Sequence, residues 1–286
     1  MRLIRLCHHV VRDSIERFNA DDGWAIASHV ALSTLMAMFP FMIVLAALDA
    51  FVESINLADA AAGLLLKVWP AAVSGQIDAE VQAVLGTARG DVLGLGLGFA
   101  LFFAASGVES LRIGLNRAYR VRETRSWVFL RLESIAWVSV GAVAYLALAV
   151  PIVLAPLIFE VARESAPWLA RPETKFTLLR YAIASILLVT ALVLVHKWLP
   201  AGRRRLTEIA PGVLVTLALW LTFGGIFGRY LADFAYTYVS YYAGLASGMI
   251  ALSFLYAASL AFVFGGEINA ACMRQRNAGV GSSAEG

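Results

Sequence analysis

Two carboxylates sit where an apolar sequence has little room for them. Glu267 stands in Gly265-Gly266-Glu267-Ile268-Asn269, inside the last apolar block, and Glu109 stands near the end of an earlier one. Ionisable groups inside membrane-length apolar blocks are costly, so they are candidates for a pathway, a gate or a proton-linked step. For Glu109 the local alternative is an ion pair with Arg112, three residues on and on the same helical face. For Glu267, Arg274 is seven residues on, about 10 Å along a helix. Two roles are open to Glu267. One is a tie to the connector's arginines, and the other is a gate or proton-linked group. Asn269 offers an interhelical hydrogen bond. His29 could titrate near neutral pH or bond a neighbouring helix. Pro40 removes one backbone hydrogen bond and should kink its helix, with hydroxyls one turn away to satisfy the freed carbonyl.

The second chemistry is anion recognition. Arg112, Arg117 and Arg125 belong to a knot of six arginines between residues 104 and 131, and Arg203-Arg204-Arg205 form a run further on. Arginine suits phosphate geometry, so these side chains are candidates to hold anionic lipid headgroups. Catalysis has no such support. The chain has four histidines and two cysteines without metal-ligand spacing, so no enzyme activity, metal or cofactor is expected. The net charge of +3 is explained by cations flanking apolar blocks, and nucleic acid is not expected as a partner.

These residues need helices to position them. Of 286 residues, 60% are hydrophobic and 15% charged, against about half and a quarter in a soluble domain. The excess lies in blocks of about 20 residues or more, the length that spans a bilayer. The expected fold is all-α and polytopic, with six spans at about 25–51, 92–111, 135–159, 177–195, 211–231 and 245–271. Residues 1–24 read as an amphipathic helix on the cytoplasmic face, with Ile4, Val11, Ile15 and Phe18 on one side. Residues 52–91 read as a helical hairpin on the outer surface, 233–243 as an outer loop, and 273–286 as a flexible tail. Pairs of glycines four apart (Gly94 with Gly98, Gly224 with Gly228, Gly244 with Gly248) are candidates for close helix contact.

The charge asymmetry sets the expected orientation. Sixteen of the 23 cations fall in the two termini, the central connector and the loop at 197–205, and seven on the other side. Cytoplasmic loops carry the excess of Lys and Arg, so both termini are expected in the cytoplasm of a multi-pass inner-membrane protein. Trp24, Trp127 and Trp198 then fall at the inner interface.

The stretches SHVALSTLMAMFP, LNRAYRVRETR, RRRLTEIAPGVLVTLALW and YYAGLASGMIALSFLYAASLAFVFGGEINA, in that order, resemble the YihY/BrkB family over about residues 24–274. The resemblance implies a bacterial inner-membrane protein of six helices, associated with envelope integrity and, in some members, an old ribonuclease label that the scarcity of ligand clusters argues against. Here Ser106-Gly107-Val108-Glu109 stands where members often show a tryptophan-serine pair, and Phe254 where tryptophan is common. The expected function is handling or translocation of a lipid or envelope precursor. The alternative is a non-transporting scaffold that docks an envelope-assembly partner through the 52–91 hairpin.

Overall fold

The computed structural model describes residues 2–51, 93–143, 173–242 and 245–284. All regular structure among them is helical: α1 (Arg2–Ala20), α2 (Gly23–Phe51), α3 (Leu93–Ala118), α4 (127–143), α5 (Glu173–Trp198), α6 (Leu206–Tyr242) and α7 (Leu245–Ala284). Among these residues three segments are long and apolar enough to cross a membrane: Leu95–Ala118, Leu206–Leu231 and Gly248–Asn277. Shorter apolar stretches are Gly23–Met38 and Ser185–Trp198. The chain is a helical membrane protein. The 52–91 hairpin and the outer half of the 135–159 span lie outside the described residues.

The helix that organises the bundle is α7. It packs on α1, α2, α3 and α6, and α2 lies along α3. Three apolar clusters join these contacts. Leu115, Leu192, Leu199, Val213 and Phe262 bring α3, α5, α6 and α7 together. Phe18, Ile26, Val30 and Val263 join α1 and α2 to α7. Val10, Ile268 and Ala271 pin α1 along the far part of α7.

Helix boundaries differ from the sequence expectation, and at two of them the local reason is visible. Helix α6 starts at Leu206, not at Pro211, because the Glu208 carboxylate accepts the Arg205 N–H at 2.8 Å and satisfies an otherwise orphaned donor. Pro211 therefore sits in the second turn, where it removes one ladder bond. Residues 233–242, expected as a loop, continue α6, and the expected flexible tail continues α7 to Ala284. Helix α3 overruns residue 111 and stops at a Schellman arrangement. Val121 N–H donates to Asn116 O and Arg120 N–H to Arg117 O, both at 3.0 Å, with Arg120 at φ 57°. A non-glycine residue in that region costs about 1–2 kcal/mol, and Arg120 is anchored there by Asp21 at 3.4 Å.

Pro40 lies inside an unbroken α2. The hydroxyls expected to satisfy its freed carbonyl are engaged elsewhere: Thr34 donates to Val30 O, and Ser33 faces His29. On α1 the expected apolar face divides. Val10, Ser14 and Phe18 are buried in the bundle, whereas Val11 and Ile15 are exposed.

Of the expected glycine pairs, Gly94 and Gly244 lie outside the described side chains, and the other members make no close helix contact. A Cβ at Gly98, Gly224, Gly228 or Gly248 would meet nothing within 4 Å. The close crossing is Gly212 of α6 against Gly265 of α7, where a Cβ on either would collide with the other's backbone. The same seam continues up α6 at intervals of four residues, one per turn. Thr216 donates to Ala261 O at 3.3 Å and Trp220 Nε1 to Ala258 O at 2.8 Å.

Candidate functional site

The polar residues of the bundle converge at one end, where α3 and α7 carry their arginines and carboxylates and the connector 119–126 meets the turn 199–205. The connector makes the first layer. Arg125 grips Glu123 with two nitrogens, each at 2.8 Å, and Glu133 with a third at 3.0 and 2.9 Å. Bidentate arginine–carboxylate geometry of this kind is the strong form of the interaction. Arg125 holds the Glu123 carboxyl down to about 2, chiefly through its hydrogen bond, with its own backbone N–H and Asn116 adding to the effect against partial burial. The Arg125 guanidinium is correspondingly raised. Asn116 fastens this layer to the turn after α5: its amide donates to Glu123 at 3.2 Å and its oxygen accepts Ala201 N–H at 2.7 Å.

Arg112 is 3% exposed and faces Glu133 at 3.2 Å, Ser134 Oγ at 2.9 Å and Leu130 O at 3.3 Å. It does not pair with Glu109. Glu109 pairs with Arg131 at 3.0 Å, and Arg131 also donates to Phe102 O and stacks on the Phe102 ring. The reason is the turn in the connector. It folds the start of α4 back along α3, so an arginine 22 positions away reaches a carboxylate that the neighbour three positions away does not.

The second layer lies between α3, α6 and α7. Arg204 is buried with its guanidinium 3.8 Å from the centre of the Tyr119 ring, and burial lowers its pKa. Burial also pushes the Tyr119 hydroxyl up to about 12. Tyr119 accepts from the Asn269 amide at 3.2 Å, and the Asn269 oxygen accepts Gly212 N–H at 2.6 Å. This grouping was not legible as a site. Tyr119 and Gly212 have no marker of their own, and only their fold neighbours give them a partner.

The third layer is the turn between α1 and α2 against α7. Arg117 donates to Asp21 O at 3.0 Å and pairs with Asp22 at 3.1 Å. Arg274 of α7 pairs with Asp13 of α1 at 2.7 Å. Burial alone would raise the Asp13 carboxyl, but Arg274 and Arg17 outweigh it and the net shift is downward. Glu267 lies beneath, 1% exposed, with Oε2 lacking a hydrogen-bond partner. The charged groups around it are Asp21, Arg274, Arg120 and Arg17. One Asp21 oxygen is likewise buried and unpartnered.

His29 bonds Ser110 at 2.6 Å across α2 and α3. His196 is fully buried with Nδ1 2.9 Å from Leu192 O and Nε2 without a partner, against the Phe262 ring. Of the arginines read as headgroup contacts, Arg112, Arg117, Arg125 and Arg204 are engaged within the fold, and Arg203 and Arg205 are exposed. They adjoin the exposed Trp198 and Leu206. Trp24 and Trp127 are also exposed, Trp127 at 73%. Among the described residues no group of three or more His, Cys, Asp or Glu could hold a metal.

The protein family described as Virulence factor BrkB matches residues 14–285. "Putative ribonuclease-like protein YfkH" of Bacillus subtilis is 22% identical over 91% of this chain and 94% of its own length. A protein named as a UPF0761 membrane protein in Rhodospirillum centenum is 27% identical over 91% of this chain, which spans 56% of that protein's length. No solved structure matches the chain. With nearly its whole length matched, the chain belongs to the Virulence factor BrkB family of membrane proteins.

Proposed function

We propose that this protein handles or translocates an amphipathic lipid or envelope precursor in the bacterial inner membrane, crossing it six times with both termini cytoplasmic. The observation that carries the reading is Glu267: a carboxylate inside a segment long enough to cross a membrane, almost fully buried, with an unpartnered oxygen. Buried polar groups in folded proteins are almost always satisfied, so an exception calls for a role. A carboxylate at membrane depth marks a pathway or gate by default. Among the described residues no arginine pairs with it, and the partners of Arg17, Arg120 and Arg274, whose charges act on it, are Asp13 and Asp21. Asn269, His29 and Glu109 have internal partners, with one Glu109 oxygen also buried without one. Arg203 and Arg205 remain the headgroup contacts of this reading.

The test is leaflet exchange of labelled phospholipid in proteoliposomes holding wild type or Glu267→Ala. Exchange above protein-free vesicles that falls in the variant supports the proposal. Exchange no faster than in protein-free vesicles, with the protein verified as folded, sinks it in favour of a scaffold.

A further inference from the structure

An apolar recess on the described surface borders the third layer at the α1–α2 turn. It is a groove of about 530 Å³ walled by α1, α6 and α7, with Ile15, Phe18, Trp24, Phe223, Leu260 and Phe264 among its lining. It starts at the α1–α2 turn, where Trp24 Nε1 donates to Asn19 Oδ1 at 2.7 Å. It runs along α7 from Phe264 to Ala257, about 10 Å at the helical rise per residue. Its far end adjoins three packed rings, Phe223, Phe227 and Phe254, with centroids 5.2 to 6.4 Å apart.

We propose that this groove seats one acyl chain of a membrane glycerophospholipid, with the anionic headgroup lying over α1. Four observations select that occupant. Both long walls belong to segments apolar enough to cross a membrane, so the medium that reaches them is hydrocarbon. The groove's entrance is lined by the exposed Ile15 and Trp24, and the exposed Val11 continues the Ile15 stripe one turn earlier on α1, a helix suited to the membrane surface. Helix α1 carries four arginines against Asp13 and Glu16, a cationic balance that complements a phosphate. The shape also fits: a narrow groove about 10 Å long takes part of one extended chain. An extended peptide fits worse. Asn19 is the hydrogen-bonding wall residue, already engaged with Trp24, and backbone groups laid there would go unpaired.

The assignment rests on the lipid-handling reading for its biological use, not for its test. The experiment places wild-type protein in nanodiscs of phosphatidylethanolamine and phosphatidylglycerol, with a tracer phosphatidylglycerol carrying a diazirine near the end of one acyl chain. After irradiation, adducts are mapped by peptide mass spectrometry. Adducts should concentrate at Leu219 and Phe223 on α6 and at Ala257, Leu260, Ala261 and Phe264 on α7. Ala257→Phe, which fills the groove, should remove them several-fold and leave those at the outward-facing Leu221 and Ile186 unchanged. Ile15→Phe narrows the entrance from the surface helix and should give the same loss if Ala257→Phe fails to fold. Groove adducts no stronger than those at Leu221, or indifferent to both substitutions, overturn the site. So does an unlabelled groove in protein that is dimeric by native mass spectrometry, which would give the face to a second copy. Adduct formation needs no leaflet exchange, so a groove without a chain and a protein that moves no lipid fail separately.

Discussion

Asn269 accepts the backbone N–H of Gly212 at 2.6 Å, and its own amide donates to Tyr119 at 3.2 Å. This one side chain bridges α6, α7 and the end of α3 where the bundle carries its charge. Pro211 precedes Gly212, so the local backbone is already short of a donor.

Asn269→Ala leaves the buried Gly212 N–H without its acceptor and the Tyr119 hydroxyl without its donor. The expected loss is about 1–3 kcal/mol. Unfolding in mild detergent, followed by tryptophan fluorescence, reads it directly. A variant as stable as wild type would show that the bridge contributes nothing.

Gly265→Ala puts a methyl group into the Thr216 hydroxyl and the Gly212 backbone. Overpacking of this kind costs about 1–3 kcal/mol. Gly228→Ala, with open space at its Cβ, should be neutral or slightly stabilising. Melting temperatures of the two variants separate the glycine that packs from the glycine that merely matches a spacing.

Glu109 pairs with Arg131 and not with Arg112. Double-mutant cycles should therefore find coupling of about 0.5–3 kcal/mol between Glu109 and Arg131, and much less between Glu109 and Arg112. The reverse ranking would mean that the connector does not fold α4 back along α3.

The Glu123 carboxyl is held down to about 2 against an ordinary value of 4.5. A depressed carboxyl stabilises the fold fully above the ordinary value and loses that contribution as pH falls toward about 2. Wild type should lose stability across that interval. Glu123→Gln should be less stable at pH 6 and show a flatter decline below pH 4.5. Melting curves in detergent from pH 6 to 3 test both halves.

Composition and spacing were enough for the all-helical membrane class, because a bilayer demands long apolar helices whatever their packing. The family was legible in the same way, since its stretches keep their order along the chain. Glu267 stood out as a charge in an apolar block, and its burial accords with that. The partners were not legible. Glu109 met an arginine 22 residues distant, and among the described residues the glycines that touch are Gly212 and Gly265, not Gly98, Gly224, Gly228 or Gly248. Helix ends also escaped, because the Glu208 cap and the Arg120 turn depend on one or two local hydrogen bonds with no periodic trace. A bilayer acts on each segment alone, so its demands are written in one dimension. Which face of α7 meets which helix depends on how close two backbones can come, and the tertiary structure alone decided that.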